Sequence, residues 1–358
     1  MLRARTAAAL LPAVLAAAIG LAACGGDDGG DSRKTGRAAA IVYGLSGERP
    51  EALGDLRFRA LRMRHARVLV SWDLAVRGGR RGVPQASRFP ALADEYARLL
   101  AWFEAARAAD IRDVLLAVKT SREEAGRRPS AAEYETALKR LLDVLDRVGA
   151  GDLIRAISPW NEPELSSATS DAPELAAQYF ARVRGVCAER GCIAVAGDFV
   201  DRASTPSYIR RYVAGVEGAM PRVWSWHAYE DGWDRERDSG MPRLRRFLRL
   251  LPASAEVWLT EQGGIVRRRG PGDDGQSEQS VTAAAADLRF LITRAQQVDR
   301  RVSRFYLYQW QGESAPLWDS GLIAPDGTAR DAYCVFARAA APRLPAACRA
   351  AGGEQPRG

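Results

Sequence analysis

The chain has 358 residues, 47% hydrophobic and 27% charged, with 33 glycines and 18 prolines, which excludes a disordered, collagen-like or coiled-coil protein. Lys and Arg number 52 against 44 Asp and Glu, a formal net charge of +8, and only Lys34, Lys119 and Lys139 are lysines. The arginine clusters (Arg243, Arg245, Arg246 and Arg249; Arg267, Arg268 and Arg269) lack interleaved aromatics, so they read as solvated surface and no nucleic-acid partner is expected.

Residues 1–23 read as an export signal: Arg3 and Arg5 precede an uncharged Ala/Leu-rich run from Ala7 to Ala23. The run falls just short of a membrane-spanning helix of ~20 residues. It ends in Leu21-Ala22-Ala23-Cys24-Gly25, which resembles the bacterial lipobox. That resemblance implies lipidation at Cys24, a mature N-terminus there, and an extracytoplasmic protein anchored to the outer side of the cell membrane. Residues 24–37 continue with a polar glycine-rich tract, expected to be a flexible tether.

From residue 40 onward, short apolar runs alternate eight times with longer stretches of helical periodicity, the pattern of βα units. The expected strands are Ala40 to Leu45, Ala66 to Trp72, Ile111 to Val118, Leu153 to Ser158, Cys192 to Gly197, Arg222 to His227, Glu256 to Thr260 and Arg304 to Trp310. Between them, Ala91 to Ala109 has helical spacing, Ser130 with Glu133 and Asp171 with Glu174 have capping-box spacing, and Thr205 precedes a first-turn Pro206. Segments after strands are long (Asp73 to Pro90, Ala228 to Gly240, Gln262 to Ser280) and those entering strands are short, as in a barrel that carries its chemistry on one face. The competing open doubly wound sheet lacks its glycine-rich fingerprint after the first strand, where the sequence reads GLSGERPE. The expected architecture is an α/β (β/α)8 TIM barrel in one domain over residues 38–350, with a tail over 351–358. The Gly263 to Ser280 loop is either a mobile lid or an irregular surface insertion.

Four cysteines remain beyond Cys24, an even number in an oxidising compartment, so two short-range disulfides are expected: Cys187 with Cys192 and Cys334 with Cys348. No metal or organic cofactor is expected, since His65 and His227 are the only histidines and no pair has CxxC spacing.

Two strand tips stand out. Trp160-Asn161-Glu162-Pro163 follows the fourth strand and Thr260-Glu261-Gln262-Gly263 ends the seventh. Strands four and seven of a closed barrel aim their ends across one mouth, and glycoside hydrolysis needs two facing carboxylates, one protonated and one ionised. His227-Ala228-Tyr229 and Tyr308-Gln309-Trp310 bring aromatics to the same rim, where they can stack on sugar faces.

With these motifs the chain resembles the clan A glycoside hydrolases, a (β/α)8 superfamily including families 5 and 39. Arg67 in Ala66-Arg67-Val68-Leu69-Val70-Ser71-Trp72 is similar to the second-strand arginine segment of that clan, and the ending Trp318-Asp319-Ser320-Gly321-Leu322 to its last loop. The resemblance implies a retaining glycosidase acting on a carbohydrate substrate, with no obligate protein partner. Glu162 would be the acid/base and Glu261 the nucleophile, their carboxylates about 5 to 5.5 Å apart. It further implies that Asn161 binds the sugar 2-hydroxyl, that Arg67 and Tyr229 keep Glu261 ionised at a low pKa, that His227 lines the site, and that Trp310 floors the cleaved sugar's subsite. Trp72, Trp160, Trp233 and Trp318 are further candidates for sugar contact or for core, and Trp226 is expected in the core. Lys119 stands where family 5 enzymes often place a histidine. The alternative from another class is a carbohydrate-binding lipoprotein that has lost turnover; a transglycosylase would use the same residues.

Overall fold

A computed structural model describes residues 40–79, 82–269, 276–313 and 317–350. The expected export signal, the lipidation site Cys24, the tether and the 351–358 tail lie outside the described residues. The barrel strands are β1 (Val42–Ser46), β2 (His65–Ser71), β3 (Asp113–Lys119), β4 (Ile154–Ser158), β5 (Ile193–Val200), β6 (Val223–His227) and β7 (Glu256–Gln262). After a hairpin of β8 (Arg267–Arg269) and β9 (Gln276–Glu278), β10 (Val302–Leu307) closes the barrel by pairing in parallel with both β7 and β1.

Alternation along the strands divides the apolar residues in two. Leu115, Ala156, Val195, Val223, Trp258 and Tyr306 form one small cluster. Their strand neighbours, such as Val114, Leu116, Ile157 and Leu259, join the larger core with the helices. Arg67 is in register with Leu115 across β2 and β3, so it shares the inward face. That parity puts a guanidinium inside the barrel.

The outer layer is α2 (Leu56–Leu61), α3 (Pro90–Ala108), α4 (Ala131–Arg147), α5 (Pro173–Arg190), α6 (Thr205–Ala214), α8 (Pro242–Leu250), α9 (Val281–Val298) and α10 (Asp331–Ala340), one after each barrel strand. The short α1 (Pro50–Gly54) and α7 (Tyr229–Trp233) sit in strand-to-helix loops. Ser130 and Glu133 form the expected reciprocal capping box on α4. Asp171 does not cap α5: Ala172 holds the cap position without a side-chain bond, and the Asp171 carboxylate pairs with Arg128 instead. Pro173 at the first helical position, with its φ already set, starts that helix.

Most strand boundaries differ from expectation by a residue or two, and two differ by three. The eighth barrel strand ends at Leu307 rather than Trp310, and Tyr308 turns out to the rim, its N–H donating to the Gln262 carbonyl. Strand five runs on to Val200 through a register shift between Gly197 and Phe199, where Asp198 takes a φ of +66°. The described part of the Gly263 to Ser280 loop is not irregular: β8 pairs antiparallel with β9 and with β11 (Trp318–Asp319) in a three-stranded sheet. Both expected disulfides, Cys187–Cys192 and Cys334–Cys348, are formed.

Candidate active site

Arg67 organises the mouth of the barrel. Fully buried, it donates from Nη1 to Glu261 Oε2 at 2.7 Å and to Ser46 Oγ at 2.9 Å, and from Nη2 to Asn161 Oδ1 at 2.6 Å and Asp198 Oδ2 at 3.0 Å. Four strand ends therefore meet on one planar cation, a geometry that lysine's point charge would not fix. Because a guanidinium only donates, the Asn161 amide must turn its oxygen toward Arg67, leaving its NH2 as the donor for a ligand hydroxyl.

Glu162 follows on the loop after β4. Its φ is +46° and its N–H donates to the Asp198 carbonyl at 3.0 Å. Its side chain is 27% exposed against 11% for Glu261, so the first carboxylate is the more open. His227 Nδ1 lies 3.0 Å from Glu162 Oε1, and Nε2 lies 3.8 Å from Asp198 and 4.0 Å from Glu261. One oxygen of Glu162, one of Glu261 and a ring nitrogen of His227 all lie within 4.8 Å of one another. Tyr229 OH donates to Glu261 Oε1 at a long 3.4 Å.

Burial dominates the electrostatics. It raises the Glu261 carboxyl above its ordinary value, although His227 and Arg67 pull it down. The expectation of a low pKa there is corrected: a carboxylate this buried loses more from desolvation than Arg67 returns. Burial also opposes charge on His227, but Glu261, Asp198 and Glu162 outweigh it and push the imidazole up to about 10. Asp198 is buried too, yet Arg67, His227 and Ser158 hold its carboxyl far below the usual range. At neutral pH the centre thus contains two cations, Arg67 and His227, around Asp198 and the two glutamates.

Asp198 carried no functional assignment from the sequence. It also accepts from Ser158 Oγ at 2.6 Å, from Thr260 Oγ1 at 2.7 Å and from Ser225 Oγ. The available signal was a lone carboxylate after glycine inside the apolar run Ile193–Val200; a strand that keeps a buried acid needs donors for it.

The tryptophans divide by side. Trp160 is not at the rim: it is wholly buried, stacked on Tyr179 with centroids 5.2 Å apart. With Asn161 turned inward, its neighbour Trp160 faces the helices. Trp72 is also packed away, 3% exposed with the Arg127 guanidinium over its ring at 4.9 Å. Trp310 is equally buried, its Nε1 donating to Asp55 at 3.0 Å and Phe58 and Tyr333 packed against it edge to face. It is a packed wall rather than an open floor. Trp226 is in the core, stacked on Phe247. Trp318 is half-buried and edge-on to Tyr229 at 4.7 Å, beside Glu261's phenol partner, and Trp233, half-buried, lies under the Arg268 guanidinium.

A cavity of about 600 Å³ opens at the ends of β1 and β10, lined by Ser46, Glu48, Arg49, Tyr308, Gln309 and Trp310 among others. Ser46 connects it to Arg67. Lys119 is withdrawn nearby into an ion pair with Glu48 at 2.5 Å.

No protein-family model matches the chain, and no curated protein matches it by sequence. Solved structures do match it by shape. The chain is similar to a glycoside hydrolase, GH5_18, from Bifidobacterium longum in complex with Manb1-4GlcNAc: TM-score 0.59, 13% identity, covering 88% of this chain and 80% of that one. It is also similar to a family 39 glycoside hydrolase from Bacteroides cellulosilyticus (TM-score 0.53, 12% identity, 85% and 64% covered). A third is a family 17 β-1,3-glucanosyltransferase from Rhizomucor miehei (TM-score 0.51, 14% identity, 81% and 96% covered). The chain thus shares its eight-stranded parallel barrel fold with these glycoside hydrolases.

Proposed function

We propose that the protein is a retaining glycosidase with Glu261 as nucleophile and Glu162 as general acid/base. The observation that carries this reading is the pair of carboxylates at the ends of β7 and β4, with an oxygen of each within 4.8 Å. That proximity is what two carboxylates acting on one glycosidic bond need, and the choice of the retaining route rests on the resemblance to clan A. Glu261 attacks the anomeric carbon as Glu162 protonates the departing glycosidic oxygen. Glu162 then takes a proton from water, which displaces Glu261 from the glycosyl ester. Asn161 offers its NH2 to a sugar hydroxyl, and the cavity beside Ser46 and Tyr308 receives the sugar chain.

Charge balance favours this pair. Arg67 and His227 face Asp198 and the two glutamates, so neither carboxylate of the pair is left as an uncompensated buried charge. The clan A barrels that the chain resembles are consistent with this chemistry, while fold alone does not fix function.

The test is sugar release from a panel of polysaccharides and aryl glycosides, with Glu162→Gln assayed beside the unaltered protein. The variant loses its proton donor, so turnover of poor leaving groups is expected to fall by roughly 10² to 10⁴-fold, with activated aryl glycosides much less affected. Equal loss on both substrate types contradicts the acid role. Products longer than the substrate would mark transfer to sugar instead of water.

We also propose that the protein is exported and lipid-anchored through Cys24, on the strength of the Ala/Leu run and the Leu21-Ala22-Ala23-Cys24 motif. Cells fed a clickable fatty acid are expected to label the protein and not its Cys24→Ala variant; equal labelling of both refutes the anchor.

A further inference from the structure

Glu164 lies two residues beyond Glu162 and takes no part in the chemistry above. It is 7% exposed, its Oε1 accepts from the Val200 N–H at 2.7 Å, and its Oε2 is buried without a hydrogen-bond partner. The Thr205 hydroxyl is 3.4 Å from Oε1, but its single proton is used on the Val200 carbonyl at 2.7 Å. A carboxylate offers about four acceptor positions; this one has a single firm donor, and among the described residues no arginine or lysine pairs with it.

The position of that one bond matters. β4 and β5 are in register only at Ala156 with Ile193 and Ile157 with Ala194. Beyond those rungs the loop is held to β5 by the Glu162 N–H on the Asp198 carbonyl and by the Val200 N–H on Glu164. The two bonds bracket Glu162, whose φ of +46° persists only where the surroundings hold it.

We infer that Glu164 is a positioning residue: a carboxylic acid kept neutral in the folded protein, whose bond to Val200 fixes the loop that aims Glu162. Its catalytic consequence rests on the glycosidase reading, whereas its neutrality and its grip on the loop do not. The groups facing it are Glu162 on its own loop, His227 from β6, and Thr205 and Tyr208 from α6. Burial, reinforced by Glu162 and only partly offset by the backbone N–H groups of Glu164 and Val200 and by His227, pushes its pKa up to about 8 from 4.5. The sign follows. A raised acid contributes stability that is complete below the unfolded value near 4.5 and is lost as pH rises to about 8.

Glu164→Gln mimics the neutral acid and has no proton to lose; Glu164→Ala removes the grip. In the full chain, the Tm of the Gln variant relative to the unaltered protein is expected to climb by on the order of 5 °C between pH 5 and pH 8. A Gln variant less stable than the unaltered protein at pH 7 means an ionised Glu164 and overturns the inference. Amide exchange in residues 161–166 is expected to accelerate at least about tenfold in the Ala variant and not in the Gln variant; unchanged exchange in both refutes the grip. On a hydrolysed substrate, the Ala change lowers kcat by roughly 10²-fold with KM little altered, and Gln restores most of it. If kcat is unmoved by Ala, positioning fails while the glycosidase stands. If nothing is hydrolysed yet melts and exchange behave as stated, the glycosidase reading fails and the neutral clamp stands. Should the Ala variant not fold, the Gln melts still decide.

Discussion

Glu261→Ala is expected to lower sugar release by on the order of 10⁵-fold, the scale at which losing a covalent nucleophile removes the pathway rather than slowing it. The surroundings favour so complete a loss. Glu261 is the carboxylate that Arg67 grips at 2.7 Å and Tyr229 approaches at 3.4 Å, and the other carboxylates near His227 among the described residues, Glu164 on Val200 included, are held by partners of their own. Glu162 bonds the imidazole and Asp198 lies beneath four strand ends. Removing the side chain opens a cavity beside a guanidinium, an anion-attracting gap that azide can enter. Added azide is therefore expected to restore turnover of an activated aryl glycoside, giving the glycosyl azide of inverted configuration. A Glu261→Ala protein within tenfold of full activity would eliminate Glu261 as nucleophile, and azide failing to rescue an inactive but folded variant would count against the covalent pathway.

What the sequence made legible was what periodicity and strand tips encode. All eight barrel strands lie where apolar runs flanked by polar loops predict them, because a parallel strand buried on both faces has little other composition available. Glu162, Glu261, Arg67, Asn161 and His227 meet at one mouth because each lies within such a strand or on the loop directly after one. Side-chain facing was harder to read. Trp160 and Asn161 are adjacent and face opposite ways, and no local window shows which one turns to Arg67. The same limit hid Trp72 and Trp310 in the core. Asp171 illustrates a different one: capping-box spacing was present, but Pro173 began the helix a residue later than that box requires. Asp198 escaped because its value lies in partners from β2, β4, β6 and β7, which no local window contains.

Those partners make Asp198 the site of the largest expected loss of stability. Removing it leaves Arg67, wholly buried, with Glu261 as its one remaining ion-pair partner among the described residues, and leaves the buried His227 imidazolium with one carboxylate fewer. Breaking a buried pair from one side costs about 3–5 kcal/mol, because the other charge stays behind. Asp198→Ala is thus expected to lower Tm by roughly 10 °C, measured by calorimetry at neutral pH. Asp198→Asn keeps the shape and a carbonyl acceptor but not the charge, so it should melt between the two. The acid limb separates charge from packing. Asp198 is held far below its ordinary 3.8 by Arg67 and His227 against burial, so its contribution is complete above that value and is lost as pH falls through the folded pKa. The gap between the unaltered protein and the Asn variant should therefore narrow from pH 4 toward pH 2, while the gap between the Asn and Ala variants, which is packing and hydrogen bonding, should not. A gap to Asn that stays constant across that interval would mean that Asp198 holds the four strand ends by shape and hydrogen bonds, and that the charge on Arg67 is balanced elsewhere.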